Sequence, residues 1–129
     1  MPALKHLTKR IYLAGTRCPR LAWHMRQPSY SPPPPSSFLS FLALQGQRFE
    51  DYAVSSLKKM DTTREVKSRS PDEAARETKE HMSDPSVSVV LQPTFYDPPY
   101  LARGDVVRRV PPSGSWRLEE VKSSSLSSY

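Results

Sequence analysis

The placement of proline constrains the fold of this chain more than any other sequence feature. Fourteen of the 129 residues are proline, and four of them are consecutive at positions 32–35. A proline run lacks backbone N–H donors and cannot lie inside a helix or a central strand, so it favours an extended polyproline II segment. The chain is therefore predicted to divide into a basic helical segment 1–26, a Pro/Ser-rich linker or loop 27–37, and a main region 38–129.

The composition predicts one domain with a small core. Hydrophobic residues make up 36% of the chain, below the roughly 45 to 50% of an average globular domain. The only cysteine, Cys18, cannot form an internal disulfide and cannot alone hold a zinc ion or an iron-sulfur cluster. No apolar run approaches the roughly 18 residues that a membrane helix requires. We therefore expect a soluble, cytoplasmic protein with no membrane partner.

Charge is distributed unevenly along the chain. The formal net charge is +6 and the pI is about 9.7. Residues 1–60 hold nine Lys or Arg and two acidic residues, whereas residues 61–129 hold ten and eleven. A basic surface attracts polyanions. The first half is therefore predicted to face a polyanion, whereas the second half holds most of the acidic residues.

Two short helices are predicted in the basic N-terminal segment. Thr8 is a favourable N-cap for a helix that runs toward Gly15. Pro19 suits the first turn of a second helix that continues to Met25. Residues 1–26 hold six Lys or Arg and no acidic residue, so both helices lie in a basic segment.

Two further helices are predicted in the main region. Apolar residues recur at helical spacing over 38–60, which predicts a long helix that carries Glu50. Residues 61–69 are polar and are predicted to form a loop. Ser70 is followed by a proline and, three residues later, by a glutamate. This pattern is typical of a capping box and predicts a helix over 71–82.

The remaining sequence predicts strands. Residues 87–96 are rich in β-branched and aromatic side chains, with Pro93 favouring an edge position or a bulge. Residues 101–110 and 115–124 are predicted to form an antiparallel hairpin across the four turn-forming residues 111–114. The expected fold is α/β, with helices in front and a three-stranded, mainly antiparallel sheet.

The hairpin brings charged residues together. If Val110 pairs with Ser115, Asp105 lies directly opposite Glu120. Directly opposed Cβ atoms are about 4.5 to 5.5 Å apart, and like charges at that spacing are destabilising unless they are neutralised. A divalent cation would neutralise them. Lys122 shares the face of Glu120, because side chains alternate along a strand with a period of two.

Other interpretations of the hairpin stay open. The same register places Arg108 opposite Arg117, an unfavourable pair, so a slip of two residues is an alternative that keeps the faces unchanged. Glu119 would be a surface partner of either arginine. Glu120 and Lys122 could also belong to an ordinary solvent-facing set of cross-strand charges, and Glu50 could lie on the solvated face of its helix.

Four motifs, in order along the chain, resemble a known superfamily. They are a Cys-Pro helical start at 15–23 (GTRCPRLAW), a Phe-Glu helix at 46–53 (GQRFEDYA), Asp105 after Gly104, and the triplet 120–122 (EVK). This order is similar to that of PD-(D/E)XK nucleases, in particular the RecB-like branch with its CRISPR-associated exonucleases. No single motif is decisive, since Glu-x-Lys triplets are common. The resemblance rests on their order over almost the whole chain.

The resemblance implies a restriction-endonuclease-like core and metal-dependent hydrolysis of phosphodiester bonds. Asp105, Glu120 and Lys122 would be the catalytic residues. The metal, Mg²⁺ or Mn²⁺, would be held by Asp105, Glu120 and the carbonyl of Val121, with Glu50 contributing directly or through water. Lys122 would orient the attacking water and hold the scissile phosphate. DNA is the expected partner, RNA stays open, and a larger nuclease or helicase assembly is a further candidate partner.

The chain also departs from the family pattern. It ends at Tyr129, before the helix and strand that follow the Glu-x-Lys strand in the family, so we predict a partial core that could be an inactive fragment. Cys18 alone does not support the iron-sulfur cluster of some branch members. Two other functions therefore stay open: a noncatalytic, basic nucleic-acid-binding module, and an interaction or partly disordered protein built around the proline run.

Overall fold

The computed structural model describes residues 2–60 and 62–122. In these two ranges the chain forms four α-helices and seven β-strands, which confirms the predicted α/β class. In chain order the elements are β1 (Leu7–Thr8), α1 (Lys9–Arg17), α2 (Pro19–Met25), α3 (Ser37–Lys58), β2 (Thr63–Glu65), α4 (Pro71–Ser83), β3 (Val89–Leu91), β4 (Thr94–Asp97), β5 (Tyr100–Arg103), β6 (Val106–Val110) and β7 (Ser115–Glu119).

The two N-terminal helices begin where the sequence predicts. The side chain of Thr8 accepts a hydrogen bond from the backbone N–H of Ile11, and Pro19 is the first residue of α2. The helices pack closely at Gly15, where an added Cβ would lie 3.2 Å from the Cβ of Ala22. The absence of a side chain at this position therefore lets α1 and α2 approach each other.

Helices α3 and α4 are also confirmed, with one correction at a cap. The side chain of Ser36 accepts a hydrogen bond from the N–H of Leu39 and so caps α3. Ser70 is the N-cap residue of α4, but its side chain makes no capping hydrogen bond. The predicted capping box is therefore wrong. Pro71 and the two acidic residues of the first turn remain as favourable features of this N-terminus.

The strands form two mixed sheets, so the predicted single three-stranded sheet is wrong. One sheet has four strands in the order β2-β3-β6-β7, and the other has three in the order β1-β5-β4. The 61–69 segment was predicted to be a loop, but it contains β2, which pairs in parallel with β3. This strand lies at the edge of its sheet and has no fully buried residue, which explains why its sequence is polar.

Two predicted strands are each divided between the two sheets. Residues 87–96 form β3 and β4, and residues 101–110 form β5 and β6. The antiparallel register is nevertheless continuous, since Leu91 pairs with Val106 in one sheet and Thr94 pairs with Arg103 in the other. The two segments thus form one long hairpin that bends at a corner.

The corner consists of Gln92 and Pro93 on one arm of the hairpin and Gly104 and Asp105 on the other arm. Gln92 has a φ of 56°, a left-handed conformation that is unusual for a residue other than glycine. Two backbone hydrogen bonds of 2.9 Å cross the corner, from Gln92 N to Asp105 O and from Gly104 N to Pro93 O. An added Cβ at Gly104 would lie 2.8 Å from the Cδ1 of Leu118. Proline and glycine therefore end the strands where the hairpin changes sheets.

The four-stranded sheet has an apolar cluster on each face. One cluster contains Val66, Val87, Val90 and Val107 and packs against Ala74 of α4. The other cluster contains the side chains Val89, Leu91, Val106, Val121 and, from α3, Val54 and Leu57. Helices α3 and α4 therefore cover opposite faces of this sheet. The N-terminal half of α3 extends beyond the cluster and exposes several large apolar side chains.

The C-terminal hairpin has the predicted register. Val110 pairs with Ser115 across the four-residue loop, in which Gly114 has a φ of 72°. The alternative with a slip of two residues is therefore excluded. The predicted strand 115–124 ends at Glu119, and residues 123–129 lie outside the described residues. In the described ranges, no helix has the length and apolar character needed to cross a bilayer.

Candidate active site at the end of the hairpin

Asp105 and Glu120 lie one residue beyond the last pair of the β6–β7 ladder, Val106 with Glu119. Both line one cavity of about 260 Å³, which also contains Lys9. The other lining residues are Phe95, Ala102, Arg103, Gly104, Leu118 and Glu119, so two further charged residues border the cavity. The structure therefore brings the two predicted carboxylates to the same cavity.

Asp105 is held firmly by the backbone around it. Its Oδ2 accepts a hydrogen bond of 2.8 Å from the backbone N–H of Val121, and its backbone carbonyl accepts the hydrogen bond from Gln92 at the corner. The side chain is half-buried. Its second carboxylate oxygen makes no hydrogen bond with a described residue, so that oxygen can face the cavity and accept a ligand.

Glu120 lies between two lysines. Its Oε1 is 3.0 Å from the Nζ of Lys122 and 3.2 Å from the Nζ of Lys9. The hydrogen bond from Lys122, followed by that from Lys9, lowers the pKa of Glu120 below its usual value. All three side chains are substantially exposed, so these ion pairs contribute little to stability. Their effect is to keep Glu120 ionised and to place two ammonium groups beside it.

Sequence reasoning did not identify Lys9 as a site residue. Lys9 is 111 positions away from Glu120 and is the first residue of α1, directly after the Thr8 cap. It reaches the hairpin because β1, which precedes α1, pairs in parallel with β5. The only signal in the sequence was the excess of basic residues in the N-terminal segment, which does not distinguish Lys9 from its neighbours.

Glu50 is not brought into the same cluster. It lies on α3, which packs against the opposite face of the sheet, and its Oε1 accepts a hydrogen bond of 3.0 Å from the Nε2 of Gln92. The backbone N–H of Gln92 in turn bonds to the carbonyl of Asp105. Among the described residues, no hydrogen bond or ion pair joins Glu50 directly to Asp105 or Glu120.

Gln92 is the second residue that sequence reasoning missed. It links Glu50 to the backbone of Asp105 from a left-handed conformation. Non-glycine residues in such conformations cost of order 1–3 kcal/mol and concentrate at functional sites. The sequence offered no pattern that would have predicted this role, because the contact depends on how α3 crosses the corner.

The donors suit a hard divalent cation only in part. Asp105 and Glu120 supply carboxylate oxygens, a ligand type that Mg²⁺ takes. Val121, whose carbonyl was also predicted as a ligand, is not among the residues that line this cavity. The described residues contain no group of three or more His, Cys, Asp or Glu side chains placed to hold a metal ion. Mg²⁺ usually needs only one or two carboxylates, completed by water and substrate phosphates. Asp105 and Glu120 line one cavity and supply the number of carboxylates that this smaller requirement names.

The adjacent charges of the hairpin belong to a separate cluster. Arg108 faces Arg117, as the register requires. Glu119 bridges them, with its Oε1 at 3.0 Å from the Nε of Arg108 and 2.8 Å from an amino nitrogen of Arg117. These hydrogen bonds, that from Arg108 first, lower the pKa of Glu119. The predicted pairing of Glu119 with these arginines is confirmed, and it removes the repulsion between them.

Comparison with known proteins adds no assignment to this geometry. No family model, no curated protein and no solved structure matches the chain.

Proposed function

We propose that this protein hydrolyses phosphodiester bonds of nucleic acid with the help of a divalent metal ion. The observation that carries the proposal is the Lys9–Glu120 ion pair of 3.2 Å. It joins the basic α1 to the end of the hairpin where Asp105 and Glu120 line one cavity. A phosphate-binding surface and a pair of carboxylates beside each other are what a nuclease requires.

Different residues would bind the metal and the phosphate in such a reaction. Asp105 and Glu120 would hold Mg²⁺ or Mn²⁺ with the carbonyl of Val121. When bound, the metal would polarise a phosphoryl oxygen and lower the pKa of a bound water. Lys122 would hold the scissile phosphate by charge and orient the attacking water. Lys9 would contribute a second ammonium group, which the sequence resemblance alone did not supply.

Glu50 has an indirect part in this proposal. It is hydrogen-bonded to Gln92, whose backbone supports Asp105. The resemblance assigns it direct or water-mediated contact with the metal. The contacts of Glu50 support a different role, in which its carboxylate fixes the corner and so the position of Asp105.

The restriction-endonuclease-like core is part of the same proposal. Its support is the order in which the elements follow each other: a helix with Glu50, then two paired strands, one of which begins after Asp105 while the other ends before Glu120. The second, three-stranded sheet is additional to what the resemblance implies.

The basic helices α1 and α2 would hold the backbone of the nucleic acid. Arg10, Arg17 and Arg20 are exposed on them and are free of ion pairs with the described acidic residues. Contacts of this kind do not depend on base sequence and weaken as salt concentration rises, because bound counterions are released from the phosphates.

The test is a cleavage assay with matched variants. We expect the full chain to cut labelled DNA in Mg²⁺ or Mn²⁺ and to leave 5′-phosphate ends. Asp105→Asn and Lys122→Ala should each lower the rate by at least about a hundredfold. The controls are Asp72→Asn and Lys59→Ala, two exposed positions outside the site, which should cut like the wild type. Thermal melts of all variants establish that they fold. Wild-type protein without activity, or Asp105→Asn with wild-type activity, would exclude the proposal.

A noncatalytic nucleic-acid-binding module is the second candidate. The observation that favours it is that Lys9 and Lys122 already pair with Glu120, so that its charge is neutralised without a metal ion. This function predicts salt-dependent binding without cleavage, and binding that Asp105→Asn leaves unchanged or strengthens by removing a negative charge.

A further inference from the structure

We propose that Phe95 and Tyr100 form a stacking subsite for unpaired nucleobases, beside the candidate active site. This inference rests on the proposed binding of nucleic acid and goes beyond it, because it names the form of the substrate. A stacking subsite of this kind takes bases that are not paired in a duplex.

The two aromatic residues share one face of the three-stranded sheet. Phe95 pairs with Ala102 across the β4–β5 ladder, and Asp97 pairs with Tyr100. Because side chains alternate along each strand, all four point to the same side. Phe95 and Tyr100 are diagonal neighbours, a relation that places residues about 7–8 Å apart. They are 42% and 60% exposed, so both rings present surface to a ligand.

Ala102 leaves an opening between these rings. Its small side chain lies opposite Phe95 and two residues from Tyr100. Three cavities meet at this alanine: the candidate site of about 260 Å³, a second cavity of about 510 Å³ toward α4, and a third of about 250 Å³ toward α1. The apolar surface is therefore continuous with the cavity that holds Asp105 and Glu120.

The charges around this surface fit a nucleic acid strand. Lys9 lines both the candidate site and the cavity toward α1, so it can contact a phosphate while the bases on either side meet the rings. The larger cavity lies between α4 and the sheet, and its charged lining residues are Lys79 and Asp97. Its other lining is mostly apolar, and its volume lies in the range of about 300–1,000 Å³ found for sites of small organic groups.

An unpaired strand is the occupant that these features favour. Proteins that bind single strands combine a basic groove with aromatic side chains on which bases stack. An apolar ligand without charge would leave Lys9 unused, and a duplex would keep its bases away from the rings. The aromatic surface and the adjacent lysine are used together only when the ligand has both exposed bases and phosphates.

The test measures binding without divalent cations, so that it does not depend on cleavage. Fluorescence anisotropy of the full chain is recorded with three labelled ligands of equal length: an oligothymidine, an abasic strand with the same phosphates, and a duplex. We expect the oligothymidine to bind at least about ten times more tightly than the abasic strand. Phe95→Leu and Tyr100→Leu should each remove most of this difference and leave abasic binding unchanged.

Two further variants guard against misfolding and general effects. Ala102→Leu fills the space between the rings without changing charge, and should weaken oligothymidine binding alone. Tyr52→Leu removes an aromatic residue that is 74% exposed on α3 and lines none of the three cavities, and it should behave like the wild type. Thermal melts identify any variant that does not fold. If Phe95→Leu does not fold, Ala102→Leu and Tyr100→Leu decide the result.

The outcomes separate the two proposals. Base-dependent binding that Tyr100→Leu or Ala102→Leu removes supports the subsite even if the protein cuts no DNA, which would exclude the nuclease function alone. Equal affinity for the oligothymidine and the abasic strand would overturn the subsite even if the protein cuts DNA. Binding of the duplex as tight as that of the oligothymidine would overturn it as well.

Discussion

Glu77 on α4 offers the clearest quantitative prediction, because three donors bind its carboxylate. Oε1 accepts a hydrogen bond of 3.1 Å from the N–H of Lys67, and Oε2 accepts bonds from the N–H of Ser68 at 3.1 Å and from its hydroxyl at 2.7 Å. His81 lies 3.5 Å away on the next turn. Burial alone would raise the pKa, but these hydrogen bonds, that of the Ser68 hydroxyl first, lower it from 4.5 to about 2.

This shift makes Glu77 a source of stability at neutral pH. The carboxylate is ionised in the unfolded chain above about pH 4.5, and its folded form binds a proton only near pH 2. Its contribution is therefore complete above about pH 5 and is lost as the pH falls through 4.5 toward 2. At 1.36 kcal/mol per pKa unit, the contribution at pH 7 is roughly 3 kcal/mol.

The perturbation is Glu77→Gln, which keeps the size of the side chain and removes its charge. Urea unfolding is followed by circular dichroism at pH 7, 5, 4 and 3. We expect the variant to lose about 2–3 kcal/mol of unfolding free energy at pH 7 and to approach the wild type as the pH falls. Glu80→Gln, at an exposed position of the same helix, should match the wild type throughout. A Glu77→Gln curve that runs parallel to the wild-type curve from pH 7 to pH 3 would refute the reasoning.

Three further predictions concern the sheet. Leu91→Ala should cost about 2–5 kcal/mol of unfolding free energy in urea, since Leu91 is fully buried between the strands and α3; a loss under 1 kcal/mol would contradict the described core. Glu119→Gln should destabilise the protein by about 1 kcal/mol, because Arg108 and Arg117 then face each other without a counterion, and raised salt should reduce the loss. Gly114→Ala should lower the unfolding free energy by about 1–2 kcal/mol, because only the backbone conformation is strained there, and Gly114→Asn should lose less.

Local patterns in the sequence were sufficient for the helices and for the C-terminal hairpin. Helices α1 and α2 begin at a threonine cap and at a proline, and both signals act within one turn. The hairpin register follows from a four-residue loop with Gly114 in a left-handed conformation. These features depend on residues close in the chain, so no knowledge of the tertiary structure was needed to predict them.

The features that the sequence did not predict all depend on distant contacts. Strand β2 is polar and exists because it pairs in parallel with β3. Pro93 favoured an edge position or a bulge in this region, but no local pattern predicts that the hairpin changes sheets between Gln92 and Gly104. The change of sheet depends on the packing of Pro93 and Leu118 around Gly104, which is a tertiary contact. The position of Lys9 in the site also depends on a distant contact, since it follows from the pairing of β1 with β5.

The facing arginines show why local rules about charge need the neighbouring residues. Arg108 opposite Arg117 argued for a shifted register, because like charges directly across a ladder repel each other. Glu119 lies two residues beyond Arg117, on the same face, and binds both guanidinium groups. It thus turns an unfavourable pair into a cluster that favours this register. Asp105 and Glu120 lie one residue beyond the last pair of this ladder. The charges on one face of the hairpin therefore help to keep these two carboxylates at one cavity, and a register shifted by two residues would make them diagonal.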